Sequence, residues 1–443
     1  MKKLKSLSEG EFLKLIFLLL SLSFLAGSVC MPDRAAMLPG LMQILTQPAK
    51  IPTNYFAVGG YAATFLNMGL VGLICWALFA VFRGTPNNVS NLAVILTMGF
   101  GSWGINILNI WPTVAGVLLY CAIKHEKPAQ NINAMLFSTG IAPLITDLMI
   151  RYPNAEVVGF GFGRVVLAIV VGLAIGLVLP AGMAFSPKVH KGFDLYSAAL
   201  PVGMIAFFLQ AAFFKTMGVA LPAAPGPETL QVASRTIVNV FCCLVFGGAL
   251  VLAFAMGAKW SDYVTLLKDP DLVTNFSSAY GNAVYLMNLG FFGLFILAYY
   301  NLIGASFNGV TFGIVFCMLS TCNSGSHPGN VWPIMLGYMV TSAVFGVLSG
   351  LAGGSFAGAI HAQAIVIGLC YANGLSPIAD KYGWQYGFLA SAMHYILVTS
   401  VPLLHGGYCL YNGGFTAALI CMILVPQLER FTKTREEKKS LRA

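Results

Sequence analysis

Long apolar runs punctuated by short polar clusters set the rhythm of this chain. Runs over 11–31, 57–82, 164–184 and 195–213 are followed by similar runs over 235–256, 279–302, 331–350, 385–404 and 411–428. A membrane-spanning helix needs about 20 such residues. The runs at 89–101 and 310–321 are shorter and break at Gly/Ser/Asn clusters, which predicts half-helices or re-entrant segments. A helix resumes at 107–124, and the segments 131–150 and 361–379 are interrupted by Gly and Pro. The expected fold is an all-α polytopic membrane protein with about 10–12 transmembrane helices, some of them broken or re-entrant.

The order of runs repeats because the sequence repeats. Shifted by 221 residues, 54–122 aligns with 275–343 without a gap, and 17 of the 69 positions are identical. The identities include Asn54/Asn275, Asn67/Asn288, Asn87/Asn308, Asn109/Asn330 and the dipeptides Trp111-Pro112/Trp332-Pro333. Shared hydrophobicity can match Leu to Leu, but it does not bring four Asn and a Trp-Pro into one register. Further on the register drifts. Gly140-x-x-Pro143 meets Gly374-x-x-Pro377 at a shift of 234, and His190-x-Gly-Phe-x-Leu-Tyr196-Ser197 meets His405-x-Gly-Tyr-x-Leu-Tyr411-Asn412 at 215. The organisation read from this is a tail at 1–10, a first repeat at 11–215, a linker at 216–234, a second repeat at 235–428 and a basic tail at 429–443. Gly-rich 351–358 is an insertion. Duplicated bundles with broken helices usually have inverted halves, so an internal duplication of inverted repeats is expected.

Composition excludes a soluble protein. Of 443 residues, 58% are hydrophobic and 9% charged, and the mean hydropathy is +0.81. Soluble domains carry about 25% charged residues. The formal charge is +9. Much of the excess sits at the ends, in Lys2, Lys3 and Lys5 and in Arg430, Lys433, Arg435, Lys438, Lys439 and Arg442. A nucleic-acid binder would gather its charge into a patch, so no nucleic acid is expected. Basic ends around an apolar body follow the positive-inside rule. Both termini are therefore expected in the cytoplasm, with the chain in the cytoplasmic (inner) membrane and the lipid bilayer as its first partner. The segment 11–31 is read as a retained helix, not a cleaved signal, because Val29 is a poor residue before a cleavage site and the segment has a partner in the second repeat. The ten cysteines include no Cys-x-x-Cys pair and lie mostly in apolar runs, where they pack as small hydrophobes. No metal or other cofactor is implied.

Irregular backbone at membrane depth is tolerated only against protein or water, so the breaks point to a substrate pathway. The first break offers Ser102, Asn106, Asn109 and Trp111, and the second Asn323, Ser324, His327, Asn330 and Trp332. The plainer reading of Asn109 and Asn330 is as N-caps before a helix-starting Pro. Asn67 and Asn288 are mid-helix polar residues that line a cavity or bond helices together. Asn87 and Asn308 suit capping as well as a pathway. His190 and His405, with Tyr411 and Asn412, complete the candidate lining, against the plainer reading of solvated or capping residues at an interface turn. Asp147 has Arg151 four residues on, the simplest account being an i,i+4 ion pair. Asp380-Lys381 is placed as its equivalent, and the two acids are the candidates for ion coupling.

Ser306-Phe307-Asn308-Gly309 and Tyr411-Asn412-Gly413-Gly414 resemble the Tyr/Phe-Asn-Gly helix starts of urea transporters. Met287-Asn288-Leu289-Gly290 is similar to their Asn-Pro-x-x-Gly-Leu start, although Leu289 replaces the Pro. That resemblance implies two inverted halves, a central filter and a homo-oligomer. The chain as a whole resembles an uncharacterised family of bacterial multi-pass membrane proteins. The leading expectation is a channel or facilitator for a small polar solute and not an enzyme. The alternatives are an ion-coupled carrier using Asp147 or Asp380, and a membrane enzyme using His190 or His405.

Overall fold

In a computed structural model, residues 4, 6–269 and 272–440 are described, and all regular structure among them is helical. Lys2, Lys3, Lys5 and Arg442 lie outside the described residues, as does the side chain of Lys439.

The first repeat contributes α1 (Glu9–Cys30), α2 (Met37–Thr46), α3 (Gly60–Val81), α4 (Asn88–Phe100) and α5 (Trp111–Lys124). It continues with a broken α6 (Ile132–Ser138 and Ala142–Ile150), α7 (Phe162–His190) and α8 (Ala199–Gln210, prolonged to Thr216 by a wider π turn). The second repeat follows the same order. It comprises α9 (Arg235–Ala255), α10 (Trp260–Leu266), α11 (Asn282–Leu302), α12 (Gly309–Leu319), α13 (Pro328–Leu351), a broken α14 (Gln363–Ala372 and Ser376–Tyr382), α15 (Trp384–Val398) and α16 (Asn412–Phe431). Nine helices among the described residues are long and apolar enough to cross a membrane, so this is an integral membrane protein in contact with lipid. Three shorter apolar helices, Asn88–Phe100, Trp111–Lys124 and Gly309–Asn323, accompany them.

Local chemistry explains the helix starts. Ser8 and Glu11 form a reciprocal capping box at α1. Asn87 accepts from Ser90 N–H at 3.1 Å and Asn308 from Thr311 N–H at 2.9 Å, so each caps a short core helix.

The repeats are inverted. Glu9, at the start of the first repeat, accepts from Asn275 Nδ2 at 2.7 Å, beside residues that share a cavity with Thr434 and Arg435 after α16. The chain ends thus share one face, here the tail face. At the far end of α1, a helix about 30 Å long by its 1.5 Å rise, Asp33 accepts from Tyr61 and Ala62 N–H. There Asn54 donates to the Thr229 and Val232 carbonyls of the inter-repeat linker. This is the linker face. The first repeat begins on the tail face and ends on the linker face, and the second does the reverse.

Helices α4 and α12 run antiparallel through the centre. Asn91 near the start of α4 donates to Ser320 O after α12. At the other end Gly99 meets Gly313 so closely that a Cβ on Gly313 would overlap the Gly99 carbonyl. Every residue of α12 is buried. The segment 88–110 leaves the tail face, where Ser324 Oγ bonds Asn88 O, and reaches the linker face, where Asn106 Nδ2 bonds Ile44 O. A short helix suffices because protein, not lipid, surrounds it.

Candidate functional site

Most of the polar residues singled out from the sequence are bound to backbone. Asn67 Nδ2 donates to Gly101 O at 2.6 Å and Ile105 O at 2.9 Å. Asn288 Nδ2 repeats this with Cys322 O at 2.8 Å and Ser326 O at 2.9 Å. Each Asn pins the break of its own repeat to a long helix. Asn109 Nδ2 donates to Gly104 O and Thr146 Oγ1, and Asn330 Nδ2 to Gly325 O and Asp380 Oδ2. Two corrections follow. The cap at the second break is His327, whose Nδ1 accepts from Gly329 N–H, while Asn330 is already inside the helix. In the first break Asn106 has the matching role, accepting from Leu108 and Asn109 N–H. The equivalent of Asp380 is Thr146, since both bond the paired Asn, so Asp147 corresponds to Lys381.

Ser102 Oγ returns to Gly99 O, and Asn323 accepts from Ser277 N–H. The two breaks sit at opposite ends of the α4/α12 pair and do not face one another. Trp111 is 45% and Trp332 40% exposed, on the outside of α5 and α13. They do not line a pathway and instead match interfacial aromatic anchors.

The repeats interlock through the stretches before α8 and α16. Leu195 N–H donates to Gly374 O at 3.0 Å, and Leu410 N–H to Gly140 O at 2.9 Å. Each bond joins the loop of one repeat to the helix break of the other. Tyr196 covers Gly374, Tyr411 covers Gly140, and a Cβ on either Gly would overlap the ring. Gly192 (φ 84°) and Gly407 (φ 81°) supply the left-handed backbone that starts each loop. These loops are buried, so the reading of His190 and His405 as solvated interface turns is corrected. His190 Nδ1 accepts from Gly192 and Asp194 N–H, so Nε2 carries the proton and donates to Ser197 Oγ at 2.8 Å. The ring braces the loop and directs no basic nitrogen at Ser197. His405 is 0% exposed and packs on Phe415, and Asn412 Oδ1 beyond it lacks a partner among the described residues.

Two cavities with charged residues in their linings open on the opposite faces, built from equivalent segments. On the tail face a cavity of about 640 Å³ is lined by Lys268, Asp269, Asp380, Lys381, Arg435 and Glu436. On the linker face a cavity of about 420 Å³ is lined by Gln43, Gln47, Lys50, Thr53 and Arg151. The segment following the last helix of a repeat closes each one, 434–436 in the first case and 223–225 in the second. Charge separates them. The tail-face lining holds three acids and three bases, whereas the linker-face lining holds two bases and no acid. Behind it, Asp147 Oδ2 accepts from Arg151 Nε at 2.8 Å, from Arg151 Nη2, and from Tyr408 OH at 2.6 Å. Lys50 donates to Pro222 O in the linker and lies 5.7 Å from the Tyr408 ring centre. Burial, and after it the Arg151 charge, lowers the Lys50 ammonium to about 8.

Sequence reasoning passed over Lys50. The available signal was that it is the one charged residue between 35 and 82. No group of three or more His, Cys, Asp or Glu able to hold a metal occurs among the described residues.

Comparison with known proteins gives a family without an assigned activity. No curated protein and no solved structure matches the chain, and the motif-level likeness to urea transporters has no counterpart in these comparisons. The model of a family described as "Protein of unknown function (DUF1576)" matches residues 34–215 and 256–430, one segment in each repeat. The chain belongs to that family of membrane proteins of unknown function.

Proposed function

We propose that this protein is a transporter for a small polar solute, operating as a carrier with alternating access and not as an open channel. The observation that supports this is the pair of cavities with charged linings on opposite faces, built from equivalent segments of inverted repeats. Between them lies packed protein, where α4 crosses α12 and Tyr196, Tyr371 and Tyr411 fill the space between the loops. In such a design one face opens as the other closes, and the repeats exchange conformations. The pathway runs past the two helix breaks at Gly140 and Gly374. The reading places the chain in the cytoplasmic membrane with the tail face inward, in line with the basic ends, and assigns it no catalytic activity.

Flux in proteoliposomes tests it. Counterflow, in which solute trapped inside accelerates entry of labelled solute, is expected for a carrier and absent for a channel. A correctly folded protein that moves no small solute would overturn the proposal. Coupling to an ion gradient through Asp147 is a second reading, favoured by the unpartnered Oδ1 of this buried acid. It requires that Asp147→Asn abolish uptake against a gradient and leave counterflow intact.

A further inference from the structure

We propose that the linker-face cavity is a binding site for a small monocarboxylate, held by Lys50 and Arg151, and that the transported solute is therefore an anion. The inference rests on the carrier reading above and names its substrate class.

The first argument is charge balance. Lys50 and Arg151 are each 6% exposed and Asp147 is 1% exposed. Two cations thus share one anion at a site walled by protein. An uncompensated buried charge is costly, and a bound anion removes that cost. The surplus is one positive charge, which matches a monoanion better than a dianion.

The second argument is the supply of donors. An ammonium has three N–H groups and a guanidinium five. The Lys50 ammonium bonds one backbone carbonyl, that of Pro222. Arg151 commits Nε and Nη2 to Asp147 Oδ2, two of the five N–H groups of a guanidinium. Gln43 and Gln47 line the same space and add neutral donors, while the Thr53 hydroxyl is committed to Lys50 O. A volume of about 420 Å³ suits a small solute, being near the low end of ligand pockets, about 300–1,000 Å³.

The third argument is the contrast across the membrane. The equivalent cavity on the tail face is balanced in charge, and there Lys381 takes the place of Asp147. Lys381 lies over the Phe193 ring at 5.2 Å, just as Asp147 meets Tyr408. The bias toward anions thus belongs to one face.

The test uses the full chain in nanodiscs with labelled lactate as the probe and lactamide as its neutral isostere. Saturable lactate binding is expected at pH 7, without competition by lactamide. Lys50→Gln should weaken it at least tenfold, and Lys50→Arg should keep it within about threefold. Adding Asp147→Asn to Lys50→Gln restores the surplus of one positive charge and should recover part of the affinity. Equal competition by lactamide, or unchanged lactate affinity in a folded Lys50→Gln variant, would overturn the inference. So would a clear preference for inorganic phosphate or succinate. Flux of lactamide without lactate would sink the anion and keep the transporter. Lactate binding that depends on Lys50 without any flux would keep the site and sink the transporter.

Discussion

Asp147 and Lys381 hold the same place in the two repeats and carry opposite charges. Each lies beside the aromatic residue that its partner repeat supplies at the matching loop position, Tyr408 for the acid and Phe193 for the base. The duplication preserved the geometry and reversed the electrostatics. An inverted pair of identical cavities would treat a solute alike from either side. These two do not.

The ion pair behind the linker-face cavity gives the first prediction. Asp147→Ala leaves Arg151 buried without its counter-ion and should destabilise the protein by about 3–5 kcal/mol. Thermal unfolding in detergent reads this out. The double change Asp147→Leu with Arg151→Met should recover most of the loss.

The pH response of lactate binding follows from Lys50. Its ammonium is lowered to about 8 by burial and by Arg151, so its charge is present below that pH and is lost as pH rises through it. Asp147, Arg151 and Tyr408 are the other charged or titratable groups facing it. Lactate affinity should be flat from pH 6 to 7 and fall between about 7.5 and 9. The Lys50→Arg protein should keep its affinity over that range, as a guanidinium stays charged. A parallel fall in both proteins would exclude Lys50 as the titrating group.

Two glycines should differ in how their loss is repaired. Gly140→Ala drives a methyl group into the Tyr411 ring, and an overpacking cost of about 1–3 kcal/mol or more is expected. Combining it with Tyr411→Ala should relieve the overlap. Gly313→Ala meets the Gly99 carbonyl instead, a backbone atom that trimming a side chain does not remove. Yield and melting temperature of the variants distinguish the two cases.

The Asn67→Ala and Asn288→Ala variants each leave two carbonyls of a break without a donor. A loss of about 1–3 kcal/mol is expected for each. The signature is lower thermal stability with an unchanged KM for transport. A raised KM at full stability would show that these side chains contact solute.

Topology is open to labelling. Single cysteines at Ala224 and at Thr434, in a background without the exposed Cys30 and Cys243, should react with impermeant maleimide from opposite sides of the membrane. Labelling of both from one side would contradict the inverted arrangement.

Much of the fold was legible because membrane helices announce themselves by length and the duplication by its Asn and Trp-Pro landmarks. The site was harder to read. Asn67 and Asn288 stood out as polar residues in apolar helices, yet their amides are committed to the breaks 34 and 38 residues further on. One sequence cannot say whether a buried amide faces backbone or solute. Asp380 and Asp147 are both acids near a Gly/Pro break, yet the shift of 234 at that break already pairs Thr146 with Asp380, as the shared bond to Asn109 or Asn330 does. Lys50 offered a lone charge, but the two partners that give it meaning lie in another helix and in the linker. Contacts this distant along the chain leave no local pattern.

The exchange of Leu195 with Gly374 and of Leu410 with Gly140 has a consequence for how the molecule is made. During synthesis the first repeat emerges with the Gly140 carbonyl and its overlying aromatic still missing a partner, which arrives only when Leu410 and Tyr411 have been translated. The ribosome must deliver almost the whole second repeat before the contact at Gly140 can form.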